Sequence, residues 1–190
     1  MLSRTEIAYG VSGAWRLMWG DAGGLYMLDR TLEGFWRSFR VAILVAPLYA
    51  FSSIIFYDRV PTEAPDTLLI LLEALHYIIE WTAYPVVLLE IARRAGWSAR
   101  YLGAVVARNW SQVPLIVFST MSVAIGEVGP LWLGQMLSLM LMAASVFWLF
   151  RILRGTLQIG IGQAIALALL DLWLSVTLLI IISGTVARLG

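Results

Sequence analysis

The stretch DTLLILLEALHYIIEWTAYPVVLLEIARR, residues 66–94, decides how the chain is read. It is too apolar for the surface of a soluble domain, yet the middle of its apolar run carries Glu73, His76 and Glu80. As an α-helix it is long enough to cross a hydrocarbon core of about 30 Å, which takes about 20 residues. At about 3.6 residues per turn, Glu73, His76, Glu80 and Tyr84 fall on one side and form a polar stripe. Glu80 lies near the middle of the span, where a charge is expensive unless it faces protein or water.

The composition agrees with a membrane helix bundle. Of 190 residues, 61% are hydrophobic and 13% are charged, against about a quarter charged in soluble domains. The mean hydropathy is +0.85. All 13 basic residues are Arg. The absence of Cys excludes disulfides and thiol-based metal or redox sites. A single His does not build a multi-His metal centre, and a net charge of +1 offers no electrostatic case for nucleic acid. No cofactor and no bound metal are expected. Arg4, Glu6 and Arg16 interrupt the start of the chain, so no cleavable signal is read there, and targeting falls to the first span.

Outward from the central stretch, the chain reads as an all-α, polytopic bundle of five transmembrane spans. Residues 1–38 form a cytoplasmic amphipathic segment, and residues 39–190 hold spans at about 39–57, 67–91, 102–125, 131–150 and 161–186. In the first segment, Ser3 and Glu6 make a capping-box pattern. Ile7, Val11, Ala14, Trp15 and Met18 then recur at helical spacing. This helix either lies on the bilayer surface, with Trp15, Trp19 and Trp36 as interfacial anchors, or packs on the protein's own cytoplasmic face. Residues 20–24 read as a turn, since the glycines lack the Lys and Ser/Thr of a phosphate loop. Residues 126–130 read as a tight loop, and Arg151 and Arg154 flank a short turn. Arg4, Arg16, Arg30, Arg37, Arg40, Arg93, Arg94, Arg100, Arg151 and Arg154 gather on one side of the spans, while Arg59 and Arg188 fall on the other. That bias predicts a cytoplasmic N-terminus and an external C-terminus.

The polar residues inside the spans are the candidate site: Glu73, His76 and Glu80 in the second, Arg108, Asn109, Ser111 and Gln112 in the third, and Gln163 and Asp171 in the fifth. Arg108 or the Asn109 and Gln112 amides are expected to pair with Glu80 or Asp171. Three readings follow. The groups hydrogen-bond between helices and fix the packing; or Glu80, with Glu73, His76 and Asp171, handles protons or ions; or Glu73-x-x-His76 supplies one of the two Glu-x-x-His motifs of a di-iron bundle. One such motif is too few ligands for that centre. No nucleophile elbow is present and no catalytic residue is expected. Gly160, Ala164 and Ala168, four residues apart, form a small-residue seam for close helix packing.

Two local patterns carry a family resemblance: Asn109-Trp-Ser-Gln-Val-Pro114, and Val146-Phe-Trp-Leu-Phe-Arg151 followed by Gly155 through Ala168. In these and in its layout over about 15–185, the chain resembles bacterial members of the Yip family of five-span membrane proteins. The resemblance implies a cytoplasmic amphipathic N-terminal region, five spans joined by short loops, and no enzyme activity. Eukaryotic relatives act in membrane trafficking through partner proteins. Glu73, His76 and Glu80 belong to no pattern of that family. The expectation is a multi-pass protein of a bacterial cytoplasmic (inner) membrane, non-enzymatic, a scaffold or interaction subunit. Its partners are the lipid bilayer and either another membrane protein or a second copy. The alternative is a small transporter or proton-conducting subunit.

Overall fold

A computed structural model describes residues 2–58 and 64–188. Within them the chain is helical and has no strand. In order the elements are α1 (Arg4–Met18), a 3-10 helix (Ala22–Met27), α2 (Leu32–Ser38), α3 (Arg40–Asp58), α4 (Asp66–Arg94), α5 (Ser98–Val128), α6 (Leu131–Leu157) and α7 (Ile161–Arg188). Arg59, Glu63 and most of the predicted 58–66 loop lie outside the described residues.

Four stretches are long and apolar enough to cross a membrane: Leu32–Ile55, which joins α2 to α3, and then α5, α6 and α7. The long helix α4 has 29 residues but is outside that set, with Glu73, His76 and Glu80 in its interior. Its outer face is nonetheless apolar: Ile70, Leu71, Leu75, Ile78, Val86 and Leu89 are all exposed.

Side-chain contacts set the directions of the helices. Asn109 bonds Ser38, and Thr120 bonds the Leu48 carbonyl, so α5 runs alongside α3 in the same direction. Tyr77 bonds the Ala42 carbonyl at 2.6 Å and Glu73 meets Tyr49 and Ser53, so α4 returns against α3. Tyr101 bonds the Pro85 carbonyl, which sets α4 against α5. The helices α4, α5, α6 and α7 form a ring: α5 packs on α6, α6 on α7, α7 on α4 and α4 on α5. Helix α3 lies outside the ring against α5.

Two of the predicted breaks are further along the chain than the sequence indicates. Helix α6 does not stop at Arg151 and Arg154. It runs on to Leu157, because Ile152, Leu153 and Leu157 continue its buried face. Gln158, at φ 55, ends it, and Arg100 donates to the Leu157 carbonyl at 2.9 Å. Helix α5 likewise continues through Gly126 to Val128, leaving Gly129 and Pro130 as the turn. Gly126 is a packing residue: it lies against Gly134 of α6, and a Cβ on Gly134 would strike the Gly126 backbone and approach the Ser122 carbonyl.

The N-terminal segment shares one apolar core with the long helices, through Ala14, Leu17, Met18, Leu28 and Phe35. The Ser3–Glu6 capping box is formed. Helix α1 packs on α5, on α6 and on the 3-10 helix, and buries Gly10, Gly13, Ala14, Leu17 and Met18. Gly10 is required there, since the Trp110 ring occupies the space of any Cβ. Trp15 and Trp19 do not stand free. Their rings lie 6.4 and 6.1 Å from Trp148, and Trp15 also meets Phe118. Trp36 remains 65% exposed beside Phe35. Of the small-residue seam, Ala164 and Ala168 are buried, but Gly160 precedes α7, is exposed, and has no neighbouring helix against it. Its N–H donates to Gln163 Oε1 in the first turn, so the seam begins one turn later than its spacing indicates.

Burial is uneven along the bundle. Nearly all fully buried side chains sit in the half that holds α1, α2, the C-terminal half of α4 and the N-terminal half of α5. Toward the Gly129–Pro130 turn, buried residues thin out to Ser122, Gly134, Ile182, Val186 and Ala64 among the described residues.

Two outcomes follow. Gly134→Val forces α5 and α6 apart and lowers stability by about 1–3 kcal/mol, read as a lower Tm in detergent. At the α1 turn, Asp21 accepts from Arg16 at 2.6 Å and from the Gly23 N–H at 2.8 Å. The Arg16 bond, then the Gly23 bond, hold its carboxyl below the usual carboxylate range. A depressed folded pKa stabilises above the unfolded pKa of about 3.9 and is lost as pH falls through the folded value. Acidification below about pH 4 therefore loosens this turn, visible as a change in Trp fluorescence that Asp21→Asn abolishes.

Candidate functional site: an intramembrane polar cleft

Inside the ring is a cleft of about 360 Å³. Each wall helix presents a polar face to it at helical spacing. Helix α5 contributes Arg108, Ser111, Gln112 and Ser119; α6 contributes Ser138 and Ser145; α7 contributes Asp171 and Ser175; α4 contributes Tyr77, Glu80 and Trp81. Tyr49 reaches in from α3. On α7 the same face that packs through Ala164 and Ala168 becomes the polar wall one turn later.

The centre of the cleft is an ion pair. Arg108 Nη2 and Nε donate to Asp171 Oδ1 at 2.7 and 3.2 Å. The Arg108 side chain is 4% exposed and that of Asp171 is 19% exposed. The guanidinium also lies 5.0 Å from the centroid of the Tyr84 ring, within range for a cation–π contact. Because α5 and α7 face each other across the ring, this pair bridges the space between them. Glu80 is on the same level: Ser175 Oγ donates to its Oε1 at 2.5 Å. Among the described residues, no cation lies within ion-pairing distance of Glu80.

Gln112 lines the cleft, but Glu73, His76 and Asn109 fall outside its lining. Glu73 and His76 lie on α4 about two turns and one turn from Glu80. Tyr49 donates to Glu73 Oε1 at 2.6 Å and lies 3.2 Å from His76 Nδ1, while Ser53 donates to the same Glu73 oxygen at 2.7 Å. His76 Nδ1 is 3.7 Å from Glu73 Oε2. Asn109 turns away from the cleft, fully buried, and its Nδ2 donates to Ser38 at 3.0 Å. Among the described residues its Oδ1 has no hydrogen-bond partner. The stripe is therefore divided: Glu73 and His76 face α3, and Glu80 faces the cleft. Among the described residues, no three His, Cys, Asp or Glu side chains converge as a metal would require.

Sequence reasoning missed Tyr49, Ser53, Ser175 and the serines of α6. A signal exists in the spacing: Gln112 and Ser119, Ser138 and Ser145, and Asp171 and Ser175 each repeat on one helical face. No family model, curated protein or solved structure matches the chain.

The ion pair is separable by mutation. Arg108→Leu alone leaves Asp171 without its counter-charge and is expected to cost about 3–5 kcal/mol, whereas Arg108→Leu with Asp171→Leu recovers most of the loss. Thermal unfolding of the four-member set in detergent measures this.

Proposed function

We propose that this chain is a five-span protein of a bacterial cytoplasmic membrane that admits a small polar or charged solute into its intramembrane cleft, as a transporter-type subunit. The observation that carries this reading is Glu80: a carboxylate at mid-bundle, held by one serine hydroxyl, facing open space lined by further hydroxyls. Polar groups that serve as glue between helices satisfy one another across the contact. Arg108 and Asp171 do so, whereas Glu80 meets one serine hydroxyl and otherwise borders the cleft.

The five-span layout has its own support. Helices α3 and α5 run in the same direction, so the apolar-faced α4 between them has to carry the chain back across. The arginines favour a cytoplasmic N-terminus. They meet at one end of the bundle, where Arg151 donates to the Trp19 carbonyl, Arg100 to the Leu157 carbonyl, and Arg30 lies over Gly103. With that end packed and the other sparsely buried, the cleft opens away from the cytoplasm. A site at mid-membrane, closed on one side, is the resting geometry of an alternating-access carrier. The N-terminal segment then acts as the cytoplasmic plug of the bundle.

The chain lacks Cys, so single-cysteine variants report cleanly. Ser119→Cys and Ser138→Cys are expected to react with a small water-soluble thiol reagent added outside intact cells. Ile180→Cys, on the apolar exterior, serves as the unreactive control, and Ser98→Cys, exposed at the start of α5, as the cytoplasmic one. If the cleft cysteines react no faster than Ile180→Cys, the solute cleft is disproved.

A further inference from the structure

We infer that the ligand of this cleft is an amphipathic organic cation that enters sideways from the bilayer between α6 and α7; this rests on the solute-cleft reading above. The cleft has a second opening. A groove of about 270 Å³ runs between α6 and α7, lined by Met142, Ser145, Leu149, Asp171, Ser175 and Val176, among others. Of these, Met142, Ser145, Leu149, Asp171 and Ser175 also line the central cleft. The groove and the cleft therefore meet at one set of side chains. The outer lip is apolar and faces the position of the acyl chains: Met142 is 43% exposed, Val176 39% and Leu179 46%.

Charge selects the sign of the ligand. The cleft holds two carboxylates, Glu80 and Asp171, and one guanidinium, Arg108. Arg108 is committed to Asp171. Among the described residues no cation lies within ion-pairing distance of Glu80, and Tyr77 and Trp81 line the cleft with it. Aromatic faces next to an uncompensated acid attract an organic cation, and an anion entering the same space meets net negative charge. Apolar walls at Leu115, Ile116, Leu141 and Leu149 suit the hydrophobic part of such a ligand. A strongly hydrated inorganic ion has no use for the apolar lip, because it does not partition into lipid.

The test is equilibrium binding of tetraphenylphosphonium to the full-length protein in lipid nanodiscs, with methylammonium and tetraphenylborate as comparison probes. Saturable tetraphenylphosphonium binding is expected, weakened roughly tenfold or more by Glu80→Gln. Val176→Trp, which fills the outer lip without touching Glu80, is expected to slow its association while leaving thiol labelling at Ser119→Cys unchanged. Because Val176 is on the exterior, that variant reports even if Glu80→Gln unfolds. Equal binding of tetraphenylborate, or binding of methylammonium alone, overturns the inference. So does an absence of saturable tetraphenylphosphonium binding while the cleft cysteines still label from water; the solute cleft then survives without it. Loss of both binding and labelling removes the two readings together.

Discussion

The Arg108–Asp171 ion pair is the constraint on which the bundle depends. A guanidinium and a carboxylate buried between helices cost several kcal/mol each to desolvate, and only close geometry and further hydrogen bonds repay it. Here Asp171 Oδ1 receives two N–H donors, and the Tyr84 ring lies alongside the guanidinium. The two helices that carry the pair are not packed against each other. A long Arg side chain reaching across the ring holds them at a set separation, and the space beside it is the cleft. A shorter or uncharged residue at 108 lets the ring close or leaves Asp171 exposed to lipid.

Packing around that pair differs from end to end. On the arginine-rich end, glycines at 10, 13 and 24 let α1 and the 3-10 helix come within backbone distance of each other and of Trp110. Leu17, Ile152, Leu153 and Leu157 then fill the gaps at nearly zero exposure. On the other end, α5 and α6 close tightly through Gly126 and Gly134, but α4 and α7 have few buried partners among the described residues. One end of the bundle is therefore densely packed and the other sparsely packed among the described residues. Glu80 lies between the two, on the wall of the cleft.

Polar groups in this bundle do two kinds of work. Asn109 with Ser38, and Ser53 with Glu73, tie helices together away from the cleft, and Tyr49 bonds Glu73 from the cleft edge. Glu80, Gln112 and the serines at 119, 138 and 145 border open volume instead. Two of the cleft serines return a hydrogen bond to their own helix, Ser145 to the Met142 carbonyl and Ser111 to that of Arg108. A hydroxyl satisfied in this way sits at a cleft wall without penalty whether or not a ligand is present.

Apolar runs of more than twenty residues, broken by Gly and Pro and flanked by Arg, were sufficient by themselves to establish an all-helical chain with membrane-length helices, and to place most helix ends to within a few residues. Glu80, Arg108 and Asp171 were legible for the same reason: an ionisable group inside an apolar helix costs so much that it marks a site wherever it appears. The sequence did not show that α6 passes through Arg151 and Arg154, because only the burial of Ile152, Leu153 and Leu157 by α1 and α5 makes that last turn worth forming. Nor did it show that Arg108 takes Asp171 and leaves Glu80 to Ser175, that Asn109 turns outward to Ser38, or that serines scattered over three helices share one wall. Spacing along a helix says which residues share a face. Which face meets which depends on the order of helices around the ring, and that order comes from contacts between residues as far as 95 positions apart, beyond the reach of any local pattern.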